Sequence, residues 1–200
     1  MNRAHALLIS VVIALLLAGC LGPRSTRPTR LFVLNATVAP AKPSAPASDL
    51  RLGIGRIVLP ERLNRSQIVT RMGTNEVHIA DFSQWAEPLE RSIPRVVSEN
   101  LSRLTGTDQV SIYPWPMQLE IDFQLEIAIL EFEGNSDGEV SLDARWRWVR
   151  ANGSEVQPLQ GSRYTESAAD RSTEALVAAM SRALASLSRD VASAIATTSP

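Results

Sequence analysis

The chain has 200 residues, 44% of them hydrophobic, and its 20 basic and 21 acidic residues leave a net charge of −1. That length allows one domain with a substantial core, and the balanced charge, without a basic block, excludes the electrostatic footprint of a nucleic-acid binder. A lone cysteine, Cys20, excludes an intramolecular disulfide, and two histidines, His5 and His78, leave little from which to build a metal centre.

The first element in chain order is a targeting segment. A short basic start, "MNRAH", leads into "ALLISVVIALLLA", apolar except for Ser10. As a helix this run of about 13 residues covers ~20 Å, too short for a ~30 Å hydrocarbon core, and the small residues Ala18 and Gly19 at its end complete a signal-peptide pattern. An ordinary signal peptide that happens to contain a cysteine and an uncleaved anchor are the plainer alternatives. Leu17-Ala18-Gly19-Cys20 resembles the bacterial lipobox, in which the thiol receives a diacylglyceryl group and the chain is cut just before the cysteine. The resemblance implies residues 1–19 as a lipoprotein signal peptide and Cys20 as an acylated first residue. More than one acyl chain is what stable attachment requires. Leu21, in place of an aspartate, implies sorting to the outer membrane of a Gram-negative envelope, facing the periplasm.

Residues 20–30, "CLGPRSTRPTR", are polar with two prolines and read as a lipidated tether. A single domain is expected over 31–200, interrupted by a loop at 36–49 rich in Pro, Ala and Ser. "LFVL" at 31–34 is a short apolar patch, and "RLGIGRIVLP" from Arg51 reads as a buried strand closed by Pro60. "QIVTRM" and "EVHIA" predict a hairpin around Gly73-Thr74-Asn75. Leu89, Ile93, Val97, Leu101 and Leu104 recur at spacings of three or four and give one face of a helix; Pro88 suits its first turn, and Pro94 predicts a kink or a later start.

The clearest strand is "LEIDFQLEIAILEF". Leu119, Ile121, Phe123, Leu125, Ile127 and Ile129 point one way, while Glu120, Asp122, Gln124 and Glu126 point the other. After the turn cluster at 134–138, Val140, Leu142, Ala144, Trp146 and Trp148 share a face of the partner strand, and a weaker strand runs to about Thr165. Ser167 with Asp170 fits a capping box, and Leu176, Met180, Leu184, Leu187, Val191 and Ile195 form one stripe along an alanine-rich helix. The sum is a two-layer α+β domain: a mainly antiparallel sheet with two amphipathic helices packed on one face.

Catalytic groups are scarce. The chain lacks a G-x-S-x-G elbow, a free thiol once Cys20 is acylated, and a second histidine beyond the signal segment. "GIG" at 53–55 lacks the third glycine and following helix of a nucleotide loop. His78 reads as structural, and the row Glu120, Asp122, Glu126 as a solvated face, with acid–base chemistry or calcium binding as the sharper alternative. Tyr113-Pro114-Trp115-Pro116 stands out: two aromatics between prolines make either a rigid exposed knob or a packed corner.

The order of "LFVL", "GIGRIVLPERLNRSQIVTR", "ADFSQWAEPL", "SENLSRL", "YPWP", "FQLEIAILEFEG" and "LDARWRW" resembles the ABC-type transport auxiliary lipoproteins, the PqiC-like family. The family pattern carries over to Pro60, Leu63, Arg71, Trp85, Pro88, Leu89, Tyr113, Pro114, Trp115, Phe132 and Trp146, and departs at Phe32 and Val33, where relatives often show a tyrosine. The resemblance implies a non-enzymatic part of an envelope lipid-transport machine that supports membrane integrity. Its implied partners are an MCE-domain protein with inner-membrane transporter components and the membrane through the anchor, with further copies of itself as a further option. No cofactor is expected beyond the covalent lipid on Cys20. Rival classes are a periplasmic shuttle that itself holds a lipid, which needs an apolar cavity, and an envelope hydrolase, which needs converging titratable groups.

Overall fold

The computed structural model describes residues 27–39 and 49–197. The signal peptide, Cys20, most of the tether and the centre of the Pro/Ala loop lie outside the described residues. In chain order the elements are strands β1 (Arg30–Phe32), β2 (Leu52–Ile54), β3 (Gln67–Arg71) and β4 (Val77–Trp85), helix α1 (Leu89–Thr105), strands β5 (Val110–Ile112), β6 (Phe123–Asn135), β7 (Glu139–Arg150) and β8 (Gln160–Ser167), and helix α2 (Thr173–Ala196).

The backbone of the sheet is the hairpin of β6 and β7, which pair antiparallel from Phe123↔Arg150 to Gly134↔Val140. Its turn is held by Asn135, whose Oδ1 accepts from the N–H of Asp137 at 3.0 Å and of Glu139 at 2.9 Å, and by Gly138 at φ 86°. The period-two pattern places Leu125, Ile127 and Ile129 beside Trp148, Trp146 and Ala144 on one buried face. Each fully buried large side chain there contributes ~1.5–3 kcal/mol. Between Ile129 and Glu131 the register slips by a bulge; Leu130 turns outward, and Phe132 rather than Glu131 continues the buried face.

β8 extends this hairpin antiparallel along β7. The opposite edge of β6 is divided. Near its start β2 pairs parallel with Phe123–Leu125 and carries β5; near its end β3 pairs parallel with Gly134 and Asn135 and carries the antiparallel β4, with β1 parallel on β4. The sheet is therefore mixed, its long pairings antiparallel and its short ones parallel. The hairpin of β3 and β4 is as expected, although β4 continues to Trp85.

Both helices cover one face of the sheet. The expected stripe of α2, from Leu176 to Ile195, is buried throughout, and the Nε1–H of Trp148 donates to the carbonyl of Val191 at 3.0 Å. Between the helices Asn100 is fully buried; its Nδ2 donates to Ser188 Oγ at 3.3 Å and its Oδ1 accepts from Val38 N at 3.3 Å. That contact ties the described start of the Pro/Ala loop to α1.

Four expectations need correction. Leu119 to Asp122 lie outside β6, because the Asp122 carboxylate turns back to take the backbone N–H of Arg51 at 3.0 Å. The cap of α2 is Ser172, whose Oγ accepts from Ala175 N at 3.1 Å; Ser167 ends β8, and Asp170 accepts from Ser172 N instead. Pro94 does not delay α1, which starts at Leu89 with Pro88 as its cap residue. Arg30, given to the tether, already pairs with Ser83 in the sheet.

Candidate functional site

Residues 112–119 leave the edge of β5 at the end of the sheet where β6 begins. The N–H of Tyr113 donates to the carbonyl of Ile54 at 2.9 Å, and Leu119 N closes the loop on the carbonyl of Pro116 at 3.0 Å. The Tyr113-Pro114 peptide is cis. Trp115 is half-buried and stands over Gly53: a Cβ built at residue 53 would lie 3.1 Å from the Trp115 Cη2 and 2.8 Å from the Ile121 Cδ1. A side chain at residue 53 would have to displace the ends of Ile121 and Trp115. The Tyr113 and Trp115 rings meet edge-to-face, centroids 5.6 Å apart at 86°, and the Arg56 guanidinium sits 5.6 Å from the Tyr113 centroid.

The loop is thus both of the things its sequence allowed. Trp115 is the packed post, and it holds outward an apolar rim in which Met117 is 96% and Tyr113 47% exposed, with Ile112 and Leu119 beside them. A cleft of about 490 Å³ adjoins the rim, with Arg56, Leu59, Arg91, Pro94 and Tyr113 in its walls. Met117 and Arg56 carried no sequence signal, since a lone methionine or arginine has no periodicity or motif. The glycine of "GIG" did carry one, as a place where another chain segment approaches closely.

The carboxylates around the loop are engaged by arginines. The Arg51 guanidinium binds Asp122 through Nη2 to Oδ1 at 2.6 Å and through Nε to Oδ2 at 3.2 Å, and it also pairs with Glu120. The side-chain hydrogen bond from Arg51 holds Asp122 below the ordinary carboxylate range. Hydrogen bonds to Asp122 first and Glu120 second push Arg51 up. Glu126 is bound by Arg147, whose Nε donates to Oε2 at 2.8 Å. The row read as a solvated face is therefore half of an arginine–carboxylate lattice. Elsewhere Tyr164 donates to Asp190 at 2.6 Å, and burial foremost, then this bond, raises the phenol. His78 lies exposed on β4, near the opposite end of the sheet from the loop. Among the described residues no three His, Cys, Asp or Glu side chains are grouped to hold a metal ion.

The family-pattern residues do not converge on one site. Leu63, Trp85, Leu89, Phe132 and Trp146 are core, Pro60 and Pro88 start helical turns, and Arg71 pairs with the buried Glu133. Only Tyr113, Pro114 and Trp115 come together on the surface.

A family model described as ABC-type transport auxiliary lipoprotein component matches residues 32–192. Among solved structures, one titled only as an uncharacterized protein aligns with a TM-score of 0.68 at 18% identity, over 84% of this chain and 99% of its own. Protein XCC0632 from Xanthomonas campestris aligns with a TM-score of 0.71 at 15% identity, over 85% of this chain and 96% of its own. At such identities the likeness concerns the fold. No curated protein matches the chain.

Proposed function

This chain belongs to the ABC-type transport auxiliary lipoprotein family, and from that premise we propose that it is a non-enzymatic docking subunit of an MCE-type envelope lipid-transport system. In this reading acyl chains on Cys20 hold it at the periplasmic face of the outer membrane, and the rim around Tyr113-Pro114-Trp115-Pro116 receives the MCE-domain partner. The observation that carries the reading is polarity along β6. The rim sits beside Phe123–Leu125, whereas the part of the sheet that Arg27 and Pro28 line, built on β3 and β4, sits beside Gly134 and Asn135. The nine residue steps from Leu125 to Gly134 separate the two ends by ~30 Å at ~3.3 Å per step. A lipid anchor at one end and an aromatic, preorganised rim at the other is the layout of a bridge between a membrane and a partner.

A shuttle would need room for acyl chains between helices and sheet, but Trp148, Phe132, Leu142 and Leu184 fill that space. A hydrolase would need free titratable groups in convergence, and the carboxylates at the rim are committed to Arg51 and Arg147. The test is a photoreactive residue at Met117 in cells that also carry the transporter. Crosslinking to an MCE-domain protein supports the docking role; crosslinking from a site on β8 but not from Met117 refutes the rim. For the anchor, Cys20→Ser should abolish incorporation of a fatty-acid probe, and incorporation at the wild-type level refutes acylation there.

A further inference from the structure

The hairpin of β3 and β4 is apolar on both of its faces where it extends past its neighbours. β1 pairs only with Ser83–Trp85, so among the described residues the edge of β4 from Val77 to Phe82 has no ladder partner. Met72, Val77, Ile79 and Phe82 are each between 39% and 48% exposed. Met72 and Phe82 line a groove of about 640 Å³ between the hairpin and the start of α2; Val77 lies on the reverse face, opposite Arg71. Such a double-sided apolar edge is a liability in water.

The described end of the tether, from Arg27, lies at the same place. β1 is parallel to β4, so the chain upstream of Arg30 heads toward the hairpin tip, and Arg27 and Pro28 line the groove with His78 and Phe82. Cys20 is seven residues before Arg27, a reach of at most ~25 Å. Arg30 is paired with Glu174 at 3.2 Å; Arg27 and Arg171 stand on the groove without a described ion pair, with Asp81 in its lining and Glu76 exposed at the hairpin turn, so the positive charge offered to lipid phosphates is that of these two arginines.

We propose that this hairpin, flanked by Arg27 and Arg171, is a membrane-contacting face that lies on an anionic phospholipid bilayer, with Phe82, Met72, Val77 and Ile79 at the headgroup level. The assignment rests on the anchoring at Cys20 proposed above. Apolar side chains entering the interface and arginines beside lipid phosphates add to what the acyl chains supply. The contact also sets orientation, holding the rim at residues 112–119 away from the bilayer.

The test uses the full processed chain, in which acylation blocks the thiol of Cys20 and leaves an added cysteine as the single labelling site. Ile79→Cys, Phe82→Cys and, as a control at the far end, Met117→Cys carry an environment-sensitive fluorophore in vesicles of phosphatidylethanolamine with phosphatidylglycerol. Intact mass reports acylation and flotation reports attachment. Quenching by lipid-borne nitroxide is expected to be about twofold or more greater at positions 79 and 82 than at 117, and to fall when Arg27→Glu and Arg171→Glu are combined or phosphatidylglycerol is replaced by phosphatidylcholine. Equal quenching at all three positions in an acylated, floating protein overturns the hairpin assignment while the anchor stands. Protection of 79 and 82 from aqueous iodide without lipid quenching overturns it in favour of a protein occupant. An unmodified Cys20 in a protein that fails to float overturns the anchor and the hairpin assignment together.

Discussion

Truncating Trp115 separates its two roles. A fully buried tryptophan costs ~3–5 kcal/mol on replacement by alanine. Trp115 is half-buried, with one side on Gly53 and Ile121 and its ring meeting the edge of Tyr113, so about half of that cost applies. Loss of the edge-to-face pair adds ~0.5–1.5 kcal/mol. Trp115→Ala should therefore destabilise the domain by roughly 2–4 kcal/mol, and at ~2–4 °C per kcal/mol for a domain of this size the melting temperature should fall by roughly 4–16 °C. Met117→Ala, at an almost wholly exposed position, should stay within ~0.5 kcal/mol of wild type. Both variants should weaken binding to the proposed MCE partner, Trp115→Ala by ~2 kcal/mol or more. Thermal melts and a titration of the purified partner decide the matter. An unchanged melt for Trp115→Ala would refute the packing argument, and wild-type binding by the folded fraction of both variants would refute the docking rim.

Asp122→Asn keeps the shape of the Arg51 contact but removes its charge. Because the folded pKa of Asp122 is lowered, its contribution is present above the ordinary aspartate value of ~3.9 and is lost as pH falls through the depressed one. The variant should be about 1 kcal/mol or less below wild type at neutral pH, with the gap closing in acid; denaturant midpoints from neutral pH down to pH ~3 measure it, and a gap that widens in acid contradicts the assignment. Asn100→Ala leaves Val38 N–H and the Ser188 hydroxyl without their side-chain partner between the helices, so equilibrium unfolding should show a loss of ~1–3 kcal/mol, with faster exchange of the Val38 amide.

Long-period features were readable in the chain and short ones were not. The alternation of Val140, Leu142, Ala144, Trp146 and Trp148, and the stripe from Leu176 to Ile195, each repeat often enough to define a face, and both faces are buried as expected. β1, β2 and β5 have three residues each; no periodicity can show in three residues, and their parallel pairing depends on partners far away in sequence. Phe132 takes the buried face that alternation would give Glu131, because a bulge changes the phase, which alternation alone cannot signal. Leu119 to Asp122 continue the alternation yet leave the strand, since Arg51, 71 positions earlier, takes the Asp122 carboxylate. At the rim the aromatic–proline cluster was visible, but the division between packed Trp115 and displayed Tyr113 and Met117 depends on Gly53 in another strand.

The parallel pairing of β1 with β4 has a mechanical consequence. A chain held at Cys20 and tugged at the far rim transmits tension into β1 from its amino-terminal end, roughly along the strand axis. The inter-strand hydrogen bonds lie across that direction, so they resist in shear and share the force instead of opening one at a time like a zipper. Behind them the same segment is latched further: the carbonyl of Phe32 accepts from Ala86 N at 2.8 Å, and that of Leu34 accepts from Arg95 Nη2 at 2.9 Å. Resistance to pulling is governed by the unfolding rate rather than by equilibrium stability. A strand of three residues, modest in thermodynamic terms, can therefore serve as a durable fastening point when the two ends of the domain are drawn apart.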